Sequence, residues 1–392
     1  MKKNVPVGEL RFGMYVSQLD RPWTDTPFAF QGFVLQTEAE LEILKGFCKW
    51  VLVDEARSAP ARQHALKPVT PRYAVQVPVE AEVERATLAQ GDTLGALRDA
   101  LNAVRANQTL DAGSVAQAID AMTQSVLRNP DALMLLSRLR EKGDYAHSHS
   151  LDTAVYMACF GRFLELSVEY ISLLGCLGLM QDIGKLRVPD EILRKYERLT
   201  QAELEQARRH VEHSADILNA TPGLPPQLAE LALLHHERHD GSGYPKGLKG
   251  AQIGMVGSIA AIVDTFDALT SARPYAQAVS PSAALNMLYK WRGTFFDAAL
   301  VEQFIRCIGI FPLGCVVELN SGERGIVIGQ HSERRLQPRV MIVRDAAGNP
   351  LRPQKLLDLS RGHKTATGEA YRIKRTLEYG EAGISAEALF KA

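Results

Sequence analysis

The run His235-His236-Glu237-Arg238-His239-Asp240-Gly241-Ser242-Gly243-Tyr244-Pro245 constrains this chain more than any other stretch. Adjacent imidazoles followed by a carboxylate are donors that a divalent transition metal takes. The glycines behind them allow backbone to approach a ligand closely. The fold therefore has to turn a short Gly-rich loop, ending in Tyr-Pro, over a pair of histidines. Seven of the ten histidines lie between residues 147 and 239, so any chemistry is expected there.

Around that run the texture changes twice. Residues 10–16 (LRFGMYV) and 50–54 (WVLVD) are short β-branched or aromatic runs punctuated by Pro22, Pro27 and Gly32, which predicts a β-rich module over 1–57. Residues 56–80 are rich in Pro, Ala and basic side chains and read as an extended linker. Val115, Ile119, Met122 and Val126 then fall on one helical face that ends near Asn129-Pro130. From there to about residue 310 the pattern is a helical bundle, with short loops expected at Gly161, Gly175, Pro222-Gly223 and the GSGYP turn. Two β-branched runs flanking Asn320-Ser321-Gly322-Glu323, and a third at 339–343, predict a small antiparallel β unit. The expected fold is mainly α. Its pieces are a β-rich N-terminal module (1–57), a linker and helical connector (58–129), a helical domain (130–312), a small β unit (313–360) and a polar tail (361–392).

Composition narrows the setting. The formal charge is zero, which argues against nucleic acid as a partner. Cys48, Cys159, Cys176, Cys307 and Cys315 are odd in number and form no C-x-x-C pair, as for reduced cytoplasmic thiols. The N-terminus lacks the apolar core of a signal peptide. The longest apolar stretch, 171–180, is about half the ~20 residues of a membrane span. The expectation is a cytoplasmic protein with no membrane span, and a homodimer is left open.

Further motifs stand in a fixed order around the opening run. They are His149-Ser150, Asp182-Ile183-Gly184-Lys185, His210, and Asp264-Thr265-Phe266-Asp267 with Arg273-Pro274-Tyr275 beyond it. With these, residues 130–312 resemble the HD-GYP branch of the HD-domain metal-dependent phosphohydrolases, and the helical domain is expected to be an HD-type bundle. Residues 1–57, including Pro22-Trp23 and Pro27-Phe28, resemble the module that precedes this domain in one subgroup. The resemblance implies cyclic di-GMP as substrate, opened to linear pGpG and in some members to GMP. It implies two divalent metal ions, iron or manganese, and a role in signal transduction with other signalling proteins as further partners.

The resemblance also distributes roles. Metal ligands are His149, Asp182, His210, His235, His236 and Asp264. Asp182 and Lys185 carry catalysis, and Lys185, Arg273, Tyr244 and Gly243 contact substrate. One metal would take His149, Asp182, Asp264 and the family histidine, while the other would take Asp182, His210 and one of the paired histidines. The residues themselves allow plainer readings. Asp182 and Lys185, three apart, share a helical face, which an intrahelical salt bridge explains equally well. His147 and His149 cannot face one site from a helix, and the family pattern selects His149. It likewise selects His210 over His213. His235 and His236 would diverge by about 100° on a helix, so one metal rarely takes both. Glu237 is expected to accept a ligand histidine's ring N–H, Asp267 to brace its loop, and His239 to face solvent. Asp264 follows the apolar run 259–263 and needs a partner, for which a cation is the simplest candidate. Arg273 suits bidentate contact with a phosphate.

Two positions depart from the family. Gln181 stands where the family has the histidine of its His-Asp pair, and an amide oxygen is a weak ligand beside an imidazole. Ala276 stands where the family usually has a Lys or Arg that helps hold a phosphate. Three functions follow. The first is a cyclic di-GMP phosphodiesterase weakened at Gln181, with occupancy of that metal position open. The second is an inactive receptor or scaffold that binds nucleotide or partner proteins. The third is an HD-class phosphohydrolase for another nucleotide.

Overall fold

The structure, a computed structural model, describes residues 2–21, 32–36, 38–58, 72–139, 145–195, 197–271, 278–331, 334 and 336–377. The chain divides into two compact units. One is residues 1–72 with 331–336, and the other is 73–330 with 337–392.

In the first unit, β1 (Lys2–Pro6), β2 (Tyr15–Leu19), β3 (Phe33–Val34) and β4 (Trp50–Asp54) form an antiparallel sheet in the order β1-β4-β2-β3, with α1 (Glu38–Phe47) before β4. Alternation along β4 turns Val51 and Val53 into a core with Val5, Val16, Leu19, Leu35 and Leu44. The run 10–16 is not one strand, because Gly13 adopts a left-handed φ of 100° and turns the chain ahead of β2. Pro22-Trp23 and Pro27-Phe28 lie outside the described residues.

The second unit is helical, as expected for the fold class. It contains α2 (Val79–Arg105), α3 (Ala112–Arg128), α4 (Pro130–Leu139), α5 (Tyr145–Phe163), α6 (Val168–Met180), α7 (Asp190–Leu193), α8 (Gln201–Arg208), α9 (His210–Asn219), α10 (Leu228–Ala232), α11 (Gly254–Thr270), α12 (Pro281–Trp291) and α13 (Ala298–Ile308). Val115, Ile119, Met122 and Val126 are all buried on α3, whose carboxylate cap Asp111 accepts from Gly113 N and Ser114 N. The segment read as a connector is more than that. α2 lays an Ala-rich stripe (Ala86, Ala89, Ala96, Ala100) against the bundle and packs on α3, α4 and α5. The sequence predicts a helical connector here but not its packing face, because small residues at helical spacing make a faint apolar pattern.

Gly161 and Gly175 do not mark loops. Both lie inside helices, where a side chain would collide with a neighbouring helix: a Cβ at Gly161 would sit 2.7 Å from Leu174 Cδ1 and one at Gly175 2.6 Å from Met122 Cε. Gly178 does the same for backbone, since its Cβ would lie 2.7 Å from Ala154 Cα. These glycines bring α5, which carries His149, tightly against α6, which ends at the Gln181-Asp182 pair.

After the bundle, β5 (Val316–Leu319), β6 (Arg324–Gly329), β7 (Arg339–Arg344), β8 (Pro350–Asp358) and β9 (Ile373–Leu377) form a five-stranded antiparallel sheet in the order β8-β7-β6-β5-β9. β9 belongs to the stretch read as a polar tail. Its exposed Lys374 and Arg375 hid it, yet Leu377 packs into the sheet core and the two cations pair with Glu318. No helix among the described residues is long and apolar enough to cross a membrane.

Candidate metal centre

The centre is assembled by close backbone approach. α6 ends at Met180, and the chain tightens into a 3-10 turn over Ile183–Arg187 with Asp182 at its head. A Cβ at Gly184 would lie 2.1 Å from His210 O, so only glycine lets this turn sit on α9. Gly184 N also donates to Ser214 Oγ at 2.8 Å. Helix α8 is started by the Thr200–Glu203 capping box and delivers His210 at the first residue of α9.

His235 and His236 do not lie on a helix as expected. α10 ends at Ala232 and the pair sits in the following turn, so both rings face the same centre, with centroids 4.1 Å apart. The helical divergence expected for adjacent residues therefore does not apply. The GSGYP turn folds back on them, because a Cβ at Gly243 would sit 2.4 Å from Arg238 N, and Tyr244 N donates to His236 O. Glu237 turns away from the histidines. Its buried carboxylate accepts from Lys246 N at 2.8 Å and Leu248 N at 2.9 Å and so secures the loop.

Two groups of donors result, and Asp182 belongs to both. Asp182, His210, His235 and His236 offer ligand atoms within 4.8 Å of one another, as do His149, Asp182 and Asp264. The two oxygens of Asp182 are divided between them. Oδ2 lies 3.2 Å from His149 Nε2 and 2.6 Å from Lys185 Nζ, while Oδ1 lies 3.3 Å from His210 Nε2 and 3.6 Å from His235 Nε2.

The histidine-rich group has the chemistry of a cation site. His210 Nδ1 donates to Ala207 O and His235 Nδ1 to Ala232 O, each at 2.7 Å. A carbonyl only accepts, so the proton of each neutral ring is on Nδ1 and Nε2 presents a lone pair. The His210 Nε2 atom lies 3.4 Å from His235 Nε2 and 3.2 Å from His236 Nε2, and buried Asp182 Oδ1 beside them has no hydrogen-bond donor among the described residues. Burial and the neighbouring His235 hold the His236 pKa well below the usual range, which favours its neutral ring. Lone pairs gathered around a buried carboxylate oxygen are what a divalent metal neutralises.

The second group is arranged differently. His149 donates from Nδ1 to Asp267 Oδ2 at 2.6 Å and from Nε2 to Asp264 Oδ1 at 3.0 Å. Burial opposes its charge, but hydrogen bonds to Asp182, Asp264 and Asp267 raise its pKa well above the usual value. Burial likewise opposes ionisation of Asp182, and the Lys185 ammonium and His149 outweigh it and keep the carboxylate charged. Asp267 braces the end of α11, accepting from Ser271 Oγ at 3.4 Å, and also does more. Three residues after Asp264, it shares that face of α11 and orients His149, a role that the i,i+3 spacing signalled.

Gln181 is 1% exposed, and neither its amide oxygen nor its nitrogen has a hydrogen-bond partner among the described residues. His147, His213 and His239 are half-buried and belong to neither donor group. Arg273 and Ala276 lie outside the described residues.

The chain matches the HD domain over residues 113–300, a KOW domain associated with HD domain over 316–367, and a domain of unknown function over 2–115. It is 35% identical over 377 residues to a cyclic di-GMP phosphodiesterase of Pseudomonas aeruginosa, covering 93% of this chain and 91% of that protein. The chain belongs to the HD-GYP family of HD-domain proteins. Partial matches include the cyclic di-GMP phosphodiesterase response regulator RpfG of Xanthomonas campestris, 37% identical over 47% of this chain and 50% of that protein. A 3′3′-cGAMP-specific phosphodiesterase of Vibrio cholerae is 38% identical over 40% of this chain and 36% of its own length. HD-domain phosphohydrolases are metal-dependent, and in this HD-GYP chain the donors for a metal lie together.

Proposed function

We propose that this chain is a metal-dependent phosphodiesterase that opens cyclic di-GMP to linear pGpG. The observation that carries the reading is the division of Asp182 between two donor groups, one oxygen turned to each. Mixed imidazole and carboxylate donors suit iron or manganese. His149, Asp182 and Asp264 would hold one ion, and Asp182, His210, His235 and His236 the other. Such a pair supplies, when bound, an activated water and a clamp on both oxygens of an in-line displacement.

The remaining work falls to side chains. Lys185, anchored 2.6 Å from Asp182, presents positive charge to the reacting phosphate and a proton to the departing ribose oxygen. Asp267 fixes the His149 ring, and backbone carbonyls fix His210 and His235. Gly243 permits the loop that lays Tyr244 against His236, with centroids 4.7 Å apart, as an aromatic wall for base or ribose. Arg273 is assigned to a substrate phosphate.

A receptor reading is favoured by one feature, the unpartnered Gln181 amide beside Asp182, which leaves the His149 group with a single nitrogen donor. The deciding experiment is release of pGpG by the purified chain reconstituted anaerobically with iron or manganese, with 3′3′-cGAMP as a parallel substrate. Turnover of cyclic di-GMP is expected. Binding without turnover under either metal would replace the enzyme with the receptor.

A further inference from the structure

Arg208 closes α8 with its guanidinium 4.9 Å above the Tyr244 ring. The same ring stacks on His236, with 25° between planes. A cation therefore stands at a ring that itself stacks on a member of the histidine-rich donor group. Arg208 is exposed, and no carboxylate among the described residues pairs with it, whereas the adjacent Arg209 lies 3.8 Å from Glu212. Contact with the Tyr244 ring steadies the guanidinium, whose N–H fork can receive a phosphate bidentately.

We propose that Arg208 is a substrate-positioning residue that grips the phosphodiester of a cyclic dinucleotide that is not being cleaved. This rests on the phosphodiesterase reading above. Lys185 is tied to Asp182 at 2.6 Å and so serves the phosphate at the donor groups. Arg208 is held instead at the Tyr244 ring, away from the Lys185–Asp182 pair in its contacts, and so is suited to a different phosphate. A cyclic dinucleotide carries a second anion, and Arg208 is a cation beside the Tyr244 ring with no carboxylate partner among the described residues.

The test compares the full-length native chain with Arg208→Ala and Arg208→Lys, all loaded with manganese, on cyclic di-GMP and on bis(p-nitrophenyl) phosphate, which has a single diester. Loss of a charge-assisted contact should raise the cyclic di-GMP KM, and the Kd by calorimetry, roughly ten- to hundredfold in Arg208→Ala. The kcat should stay within about threefold, since the contact is made equally in ground and transition states. Arg208→Lys should recover part of the affinity, with manganese content and bis(p-nitrophenyl) phosphate hydrolysis unchanged. An unaltered KM and Kd for cyclic di-GMP, or equal losses on both substrates, would overturn the proposal. A native chain that neither binds nor cleaves cyclic di-GMP would remove the phosphodiesterase reading itself, and the role of Arg208 with it.

Discussion

Replacing Gln181 by histidine should convert an unequal pair of metal positions into an equal one. The histidine-rich group brings three imidazole nitrogens and one carboxylate oxygen, and the His149 group brings one nitrogen and two carboxylates. Gln181, 1% exposed and without a partner for either amide atom among the described residues, adds only a neutral oxygen to the second. Loss of an orienting neighbour typically lowers metal affinity by roughly 10–100-fold, and a missing direct ligand sets at least that scale. In Gln181→His the weaker equivalent should therefore tighten by roughly 10–100-fold, or about 1.4–2.7 kcal/mol. The assay is calorimetric titration of manganese into the chelator-stripped chain, with electron paramagnetic resonance to detect two manganese ions coupled through Asp182. The native chain should bind one equivalent tightly and one weakly, and the variant should bind two with a coupled signal. Two equally tight equivalents in the native chain, or an unchanged second affinity in the variant, would refute the reasoning.

Other perturbations separate the parts. Asp182→Asn removes charge from both donor groups and should lower manganese affinity and pGpG release by more than about 100-fold; appreciable residual turnover would remove Asp182 from the centre. Asp267→Asn should weaken only the His149 equivalent, roughly 10–100-fold, and equal weakening of both equivalents in the titration would contradict its role. Gly184→Ala places a Cβ 2.1 Å from His210 O and should cost about 1–3 kcal/mol in urea unfolding, together with loss of tight metal binding; native stability would contradict the close approach. The His149 pKa is raised, so its contribution to stability is complete below its unfolded value of about 6.5 and is lost as pH climbs through the folded value. The chelator-stripped chain should accordingly lose stability as pH rises above about 6.5, less so in Asp267→Asn, and a gain over that range would refute the protonated ring.

Much of the fold was legible because its signals are local. The face formed by Val115, Ile119, Met122 and Val126 is buried as its spacing requires, and the Asn129-Pro130 stop falls at the end of α3. What was not legible depended on partners far along the chain. Gly161 and Gly175 look like turn residues from their neighbours, and only the contacts with Leu174 and Met122 reveal them as sites of helix contact. β9 is a strand because β5 and Glu318 accept it, not because of its own sequence.

The candidate centre divides along the same line. His149, Asp182, His210 and Asp264 could be named from the sequence because the motifs around them match the family pattern, and each is buried in the structure. Their grouping is implied by the family resemblance, but the residues themselves do not carry it, because it follows from where helices stop. Had α10 continued through residues 235 and 236, the paired rings would have diverged by about 100° and one would have left the centre. Had α6 continued past Met180, Asp182 would have followed the helical face instead of heading the turn that Gly184 seats on α9. The same stop fixes Gln181 at the helix end, buried beside the shared carboxylate, where its chemistry bears on one donor group. A Gly184 substitution should therefore disturb both metal equivalents together, whereas Gln181→His should change one. That difference tests whether backbone approach or side-chain identity limits this centre.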